Sequence, residues 1–189
     1  KNTKSISNYL LGFGHSLIRL KTGTPPRISL QSINKNKTDL MGGDDDFFPF
    51  SIFSKKQKIK QIDCLSVNTN NLVHDVVSEN LNKSPMFSGK ISGVGPRYCP
   101  SIEDKVFRFP DRESHHLFLE PEWRGSDQIY VNGFSTSLPY DIQLKALKQI
   151  PALKNVSFIR PGYAIEYDFF PPRELKNTLE SKKMSGLFL

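Results

Sequence analysis

The stretch Gly93-Val94-Gly95-Pro96-Arg97-Tyr98-Cys99-Pro100-Ser101-Ile102-Glu103-Asp104-Lys105 gathers glycines, prolines, a cysteine and four charged side chains into one short segment. Glycine lets a backbone approach a ligand closely. Arg97 offers a rigid fork of donors for phosphate or carboxylate. Cys99 stands two residues from Arg97 and six from Lys105. Neighbouring cations favour the thiolate, which is the nucleophilic form of cysteine. Glu103 and Asp104 oppose that effect, so its sign depends on geometry. From the residues alone, an inert cysteine in a structural turn is the favoured reading and a reactive thiol the alternative. Residues 89–101 read as a loop, and Lys105 to Phe109 as a short strand.

Outward from this segment the chain alternates helices and strands. Toward the amino end, Asn70 or Asn71 caps a helix from Leu72 to about Asn82, with Val73, Val76, Val77 and Leu81 on one face. Gln61 to Val67 reads as a strand. Lys35 to Gln57 is polar and irregular around Gly42-Gly43-Asp44-Asp45-Asp46 and reads as a mobile loop. Phe47, Phe48, Phe50 and Phe53 are expected to dock its end on the core. Thr22 to Arg27 reads as a turn, because two prolines and a glycine disfavour regular structure. Ser16 to Leu20 reads as a strand and Ser5 to Phe13 as a short helix. Toward the carboxyl end, His116 to Glu120 and Ile129 to Phe134 are strand candidates, with Asn132-Gly133 bending the second. Pro139 to Ile150 is a helix that opens on proline and carries Ile142, Leu144, Ala146, Leu147 and Ile150. Val156 to Arg160 and Ala164 to Phe170 are strands around Pro161-Gly162. Gly186 to Leu189 looks like a buried strand interrupted. The class is α/β, in the mixed α+β sense, without internal repeats.

Apolar residues make up 37% of the 189, but 14 phenylalanines are enough to build a core. The formal net charge of +7 favours an anionic partner such as nucleic acid or a phosphorylated cofactor. Many lysines lie in polar stretches that read as solvated. No run approaches a membrane span, and no signal peptide is visible. Two cysteines make no disulfide framework, so a reducing, cytosol-like compartment is expected. Cys64 lies between Ile62 and Leu65 and reads as a core residue. His115 and His116 lack metal-ligand companions and read as surface residues on opposite faces of a strand. His15 and His74 read as isolated structural residues. Neither Gly12-Phe13-Gly14 nor Gly93-Val94-Gly95 completes the GxGxxG dinucleotide fingerprint.

The segment Gly95-Pro96-Arg97-Tyr98-Cys99-Pro100-Ser101-Ile102-Glu103-Asp104-Lys105 resembles the signature of the MnmG (GidA) family, called MTO in mitochondria. Further blocks resemble the family in order: Arg19-Leu20-Lys21-Thr22-Gly23-Thr24-Pro25-Pro26-Arg27, Ser84-Pro85-Met86, Phe118-Leu119-Glu120-Pro121-Glu122, Asn132 to Pro139 and Arg160 to Asp168. Trp123-Arg124 departs from a Gly-containing stretch usual in the family. The resemblance covers nearly everything except residues 35–60.

The resemblance implies an enzyme with FAD, NADH and methylene-tetrahydrofolate as carbon donor. It would install a carboxymethylaminomethyl-type group at carbon five of the wobble uridine of tRNA, with an MnmE/TrmE-type GTPase as partner and a homodimeric full-length form. The chain then reads as a middle fragment, inactive alone and without stable FAD binding. Residues 1–18 would end a segment of a Rossmann-like flavin domain. Residues 19–129 would form an inserted α/β domain, with 35–60 as its mobile loop, and 130–189 would return to the two-dinucleotide-binding flavoprotein fold. Cys99 matches one of two functionally important cysteines of the family. Gly95, Pro96, Arg97, Tyr98, Cys99, Pro100, Ser101, Ile102, Glu103, Asp104, Lys105, Val106, Phe107, Arg108 and Phe109 match its nicotinamide-cofactor segment. The implied location is the bacterial cytoplasm, or a mitochondrion or plastid in a eukaryote. Two other readings compete: a non-catalytic basic RNA-binding module, and a related folate- and FAD-dependent tRNA methyltransferase.

Overall fold

The computed structural model describes residues 4–44, 49–54, 60–89, 91, 93–96 and 100–189. Its helices are α1 (Lys4–Gly12), α2 (Asn71–Ser78), α3 (Ile102–Arg108) and α4 (Tyr140–Leu147). The strands are β1 (Ile18–Gly23), β2 (Arg27–Ser29), β3 (Asp39–Met41), β4 (Cys64–Asn68), β5 (His116–Pro121), β6 (Gln128–Asn132), β7 (Phe158–Arg160) and β8 (Ala164–Phe169). Six of them form one sheet in the order β3-β4-β5-β6-β2-β7, and β1 pairs with β8 in a separate two-stranded ribbon. The mixed α/β class holds, and every ladder between these strands is antiparallel.

One sheet face carries the core. Ile28, Val67, Leu117, Leu119, Ile129 and Val131 alternate along their strands and are buried, as a period of two requires of a sheet covered on one side. Val73, Val76 and Val77 of α2, Ile102 and Val106 of α3, and Ile142, Ala146 and Leu147 of α4 fill the facing layer. Asn70 starts α2 by accepting the Val73 amide on its side chain at 3.0 Å, as the sequence suggests. On the other face, the Arg27 guanidinium lies 4.9 Å from the Tyr130 ring centre and 2.9 Å from Glu122.

Several expectations are revised. Lys105 to Phe109 is not a strand: it belongs largely to α3, because Ser101 and Asp104 form a capping box that starts a helix. Thr22-Gly23 is not wholly a turn, since β1 runs to Gly23 and the two prolines separate only β1 from β2. A glycine is required there: a Cβ at Gly23 would lie 2.8 Å from the Thr136 backbone. The stretch read as an irregular loop contains β3, which pairs with β4. Phe50 and Phe53 are exposed rather than docked, while Phe47 and Phe48 lie outside the described residues. The Gly186–Leu189 end is not a buried strand: Phe188 and Leu189 are exposed, and a single bridge joins Phe188 to Glu180. The expected boundary between 129 and 130 cuts through β6, whose residues on both sides of it pair with β5. His115 is buried rather than superficial, and His74 is not isolated, since their rings lie 5.2 Å apart.

Candidate functional site

The segment read from the sequence leans on β1 before it reaches α3. Val94 donates to the Arg19 carbonyl and accepts from the Lys21 amide, both at 3.1 Å. Gly93 has φ +121°, and a Cβ there would stand 2.7 Å from the Arg19 oxygen, so this glycine serves a close approach to the protein's own backbone. Among the described residues, nothing lies within 4 Å of where a Cβ on Gly95 would stand. The turn at 84–87 comes up on the other side. The Lys21 ammonium ties the two together by donating to the carbonyls of Met86 at 3.0 Å and Ile91 at 3.3 Å.

Between these parts lies a cleft of about 290 Å³ lined by Lys21, Met86, Phe87, Gly95, Pro96, Pro100, Asp104 and Arg108. Its far wall is α3. Ser101 Oγ accepts the Asp104 amide at 3.1 Å, and Asp104 Oδ2 accepts the Ser101 amide at 3.2 Å. Asp104 is also 3.7 Å from Arg108, one helical turn on. The cleft therefore presents a cation and a carboxylate at one rim and apolar Met86 and Phe87 at the other.

The fifteen residues matched to the nicotinamide segment do not share one role. Gly95, Pro96, Pro100, Asp104 and Arg108 line the cleft. Ile102 and Val106 are core residues, and Ser101 and Glu103 are buried. The Lys105 ammonium donates to the Gly133 carbonyl at 2.8 Å. Phe107 and Phe109 are exposed; Phe107 meets Phe87 edge-on at 5.8 Å, and Arg112 lies 5.7 Å from the Phe109 ring centre. Arg97, Tyr98 and Cys99 lie outside the described residues. Lys21, Met86 and Phe87 were not singled out as site residues by sequence, although Lys21 and Met86 fall within blocks that resemble the family.

Other chemical groups assemble elsewhere. Cys64 sits in β4, and burial first, then the charges of Glu120 and Asp63, raise its thiol pKa above the ordinary value. Burial lowers the pKa of His74 and of His115. Among the described residues no three His, Cys, Asp or Glu side chains could hold a metal, and no helix is long and apolar enough to cross a membrane.

Residues 1–189 match the family described as Glucose inhibited division protein A. The chain belongs to this GidA family. It is 52% identical over 184 residues to the tRNA uridine 5-carboxymethylaminomethyl modification enzyme MnmG of Chlorobium phaeobacteroides, covering 97% of this chain and 30% of that protein. It is 47% identical over 188 residues to the enzyme of that name from Campylobacter fetus, covering 100% of this chain and 30% of that one. A crystal structure of Aquifex aeolicus GidA superposes with a TM-score of 0.85 at 44% identity, over 96% of this chain and 31% of the other. The chain thus spans about 30% of the length of these GidA relatives. The family blocks of the sequence converge in space: Lys21, Met86, and Gly95, Pro96, Pro100 and Asp104 come from three separate blocks and line one cleft.

Proposed function

We propose that this chain is part of an enzyme that places a carboxymethylaminomethyl-type group on carbon five of the wobble uridine of tRNA, and that the 290 Å³ cleft is where it meets a nucleotide. The observation that carries this reading is the convergence of three family blocks on that cleft. The names of the relatives supply the reaction. In the proposed chemistry a thiolate adds to carbon six of the pyrimidine and makes carbon five nucleophilic, and Cys99 is the thiol assigned to that step.

NADH is the cofactor we assign to the 95–109 segment. The cleft is large enough for one phosphate-bearing end of a dinucleotide, with Arg108 at its rim. FAD and methylene-tetrahydrofolate belong to the same proposal. FAD is assigned to the length that the relatives have and this chain does not span, since neither glycine pair here completes a dinucleotide fingerprint. An MnmE/TrmE-type GTPase partner, a homodimeric full-length form and a cytoplasmic location complete it. For the domain plan, residues 24–163 are the inserted unit, and the β1–β8 ribbon carries its two connections to the flavin domain. The net charge of +7 supports contact with tRNA.

The test is the modified-uridine content of tRNA from cells that carry variants of the full-length protein. Cys99→Ser is expected to abolish modification at an unchanged melting temperature. Cys64→Ser is expected to keep it, at a stability cost of about 1 kcal/mol for a polar group at a half-buried site. Normal modification by Cys99→Ser would remove the thiol from the mechanism.

A further inference from the structure

Glu103 is the one carboxyl of the 95–105 segment that faces away from the cleft, and it is wholly buried. Its Oε1 accepts from the Ser137 amide at 2.9 Å and from one of two hydroxyls beside it, Ser84 Oγ at 3.1 Å or Ser137 Oγ at 3.3 Å. Ser84 and Ser137 are themselves bonded through their hydroxyls at 2.7 Å. Ser84, Ser101 and Thr136 around this point are also fully buried. Among the described residues no basic side chain forms an ion pair with Glu103, and its Oε2 has no hydrogen-bond partner.

Two of the three groups joined here belong to elements that form opposite walls of the cleft, and the third to a loop that does not line it. Ser84 begins the turn that delivers Met86 and Phe87 to one wall. Glu103 lies in the first turn of α3, whose next residue, Asp104, and whose last, Arg108, form the opposite wall. Ser137 belongs to the 135–137 loop. The Ser135 carbonyl of that loop accepts the first amide of α3, from Ile102, at 2.7 Å. One side chain thus sets the distance between the walls and fixes both against a loop of the core.

We propose that Glu103 is the positioning residue of the cleft, a neutral clamp that holds the 84–87 turn and α3 at the separation the nucleotide requires. A buried ionised carboxylate without a cation would be costly, whereas a protonated one buries no net charge. Burial accordingly raises the Glu103 pKa, against the lowering effect of its hydrogen bonds, the Ser137 amide first. A glutamine would supply the same Oε1 acceptor without charge, and an alanine would release both walls. The inference rests on the cleft being the site of the proposed reaction.

The experiment uses the full-length protein and compares Glu103→Gln, Glu103→Ala and Ser84→Ala with Val77→Ala. Val77 is fully buried on α2 and lines no part of the cleft, so its variant reports loss of packing alone. Each is assayed for kcat and KM in tRNA modification and for melting temperature. Glu103→Ala is expected to lower kcat/KM about tenfold to a hundredfold, the range expected for small misplacements remote from the reacting atoms. Val77→Ala should leave it within about threefold of wild type at a comparable loss of melting temperature. Glu103→Gln should keep kcat/KM within about threefold of wild type, at a lowered melting temperature, because its NH2 stands where Oε2 has no partner. A Glu103→Ala variant no more impaired than Val77→Ala overturns the positioning role. A Glu103→Gln variant as impaired as the alanine variant overturns the neutral clamp. If Glu103→Ala fails to fold, Ser84→Ala decides: it keeps the carboxyl and removes one arm, and kinetics equal to those of Val77→Ala would again overturn the role. A wild-type protein with no modification activity would remove the functional reading first, and this inference with it.

Discussion

Replacing Ser101 by alanine removes the side chain that starts α3, and the structure sets the size of the effect. Ser101 Oγ accepts the Asp104 amide at 3.1 Å, and the residue is fully buried. Alanine leaves that amide without its cap and Asp104 Oδ2 without the 3.0 Å bond from the serine hydroxyl. Loss of an N-cap costs about 1 kcal/mol, within a range of about 0.5–2. Water has little access to this site, so the upper half of the range applies. Since 1.4 kcal/mol is a factor of ten, local opening of α3 should become roughly eight to thirty times more frequent, about 1.3–2 kcal/mol. Hydrogen exchange of peptides covering 102–109, measured by mass spectrometry in the full-length protein, reads this directly. Ser101→Gly should fall between wild type and alanine, because glycine is a tolerable cap. Protection of 102–109 unchanged in Ser101→Ala would refute the argument that the capping box holds this wall of the cleft.

Gly162→Ala should destabilise by about 1–3 kcal/mol through overpacking, because a Cβ there would lie 2.4 Å from the Thr24 oxygen and 2.9 Å from Thr136 Cγ2; an unchanged melting temperature would contradict it. The pKa of Glu174 is lowered to about 2, chiefly by hydrogen bonding from Ser16, then by Lys183 and His15. A depressed carboxyl contributes stability that is present above its unfolded pKa of about 4.3 and is lost as pH falls through the folded value. Glu174→Gln should therefore melt below wild type at pH 6, and the difference should shrink as pH falls from about 4.3 toward 2; a pH-independent difference would count against it. In Cys64, the raised thiol pKa predicts slow alkylation at neutral pH in the folded protein, followed by mass spectrometry.

The elements most legible in the sequence are those with both a local start signal and a long enough face. Helix α2 has its asparagine cap and three buried valines at helical spacing, and α4 has its run from Ile142 to Leu147. Helix α3 shows why the rest was harder. Lys105-Val106-Phe107-Arg108-Phe109 is short and rich in β-branched and aromatic residues, as a strand would be, and seven residues are too few for a helical period to show. The Ser101–Asp104 pair carried the deciding information and outweighs that composition. The β1 pairing could not be read at all, because its partner β8 lies at the other end of the chain. Glu103 was read as a charge beside Cys99, since a fully buried carboxyl without a cation is rare. The cleft was half visible: Gly95, Pro96, Pro100, Asp104 and Arg108 lay in the segment named from sequence, whereas Lys21, Met86 and Phe87 come to it only through tertiary contact.

In the β1–β8 ribbon, Gly23 stands opposite Ala164, so everything from 24 to 163 leaves and returns through one pair of neighbouring strands. Closing a loop of that length costs roughly 4 kcal/mol in chain entropy from its length alone, more than a six-residue ribbon can supply before its ends are held together. Pairing of β2 with β7 already brings these ends side by side, so the loop cost is met once by the six-stranded sheet, and the expected order is sheet first, β1–β8 seam last.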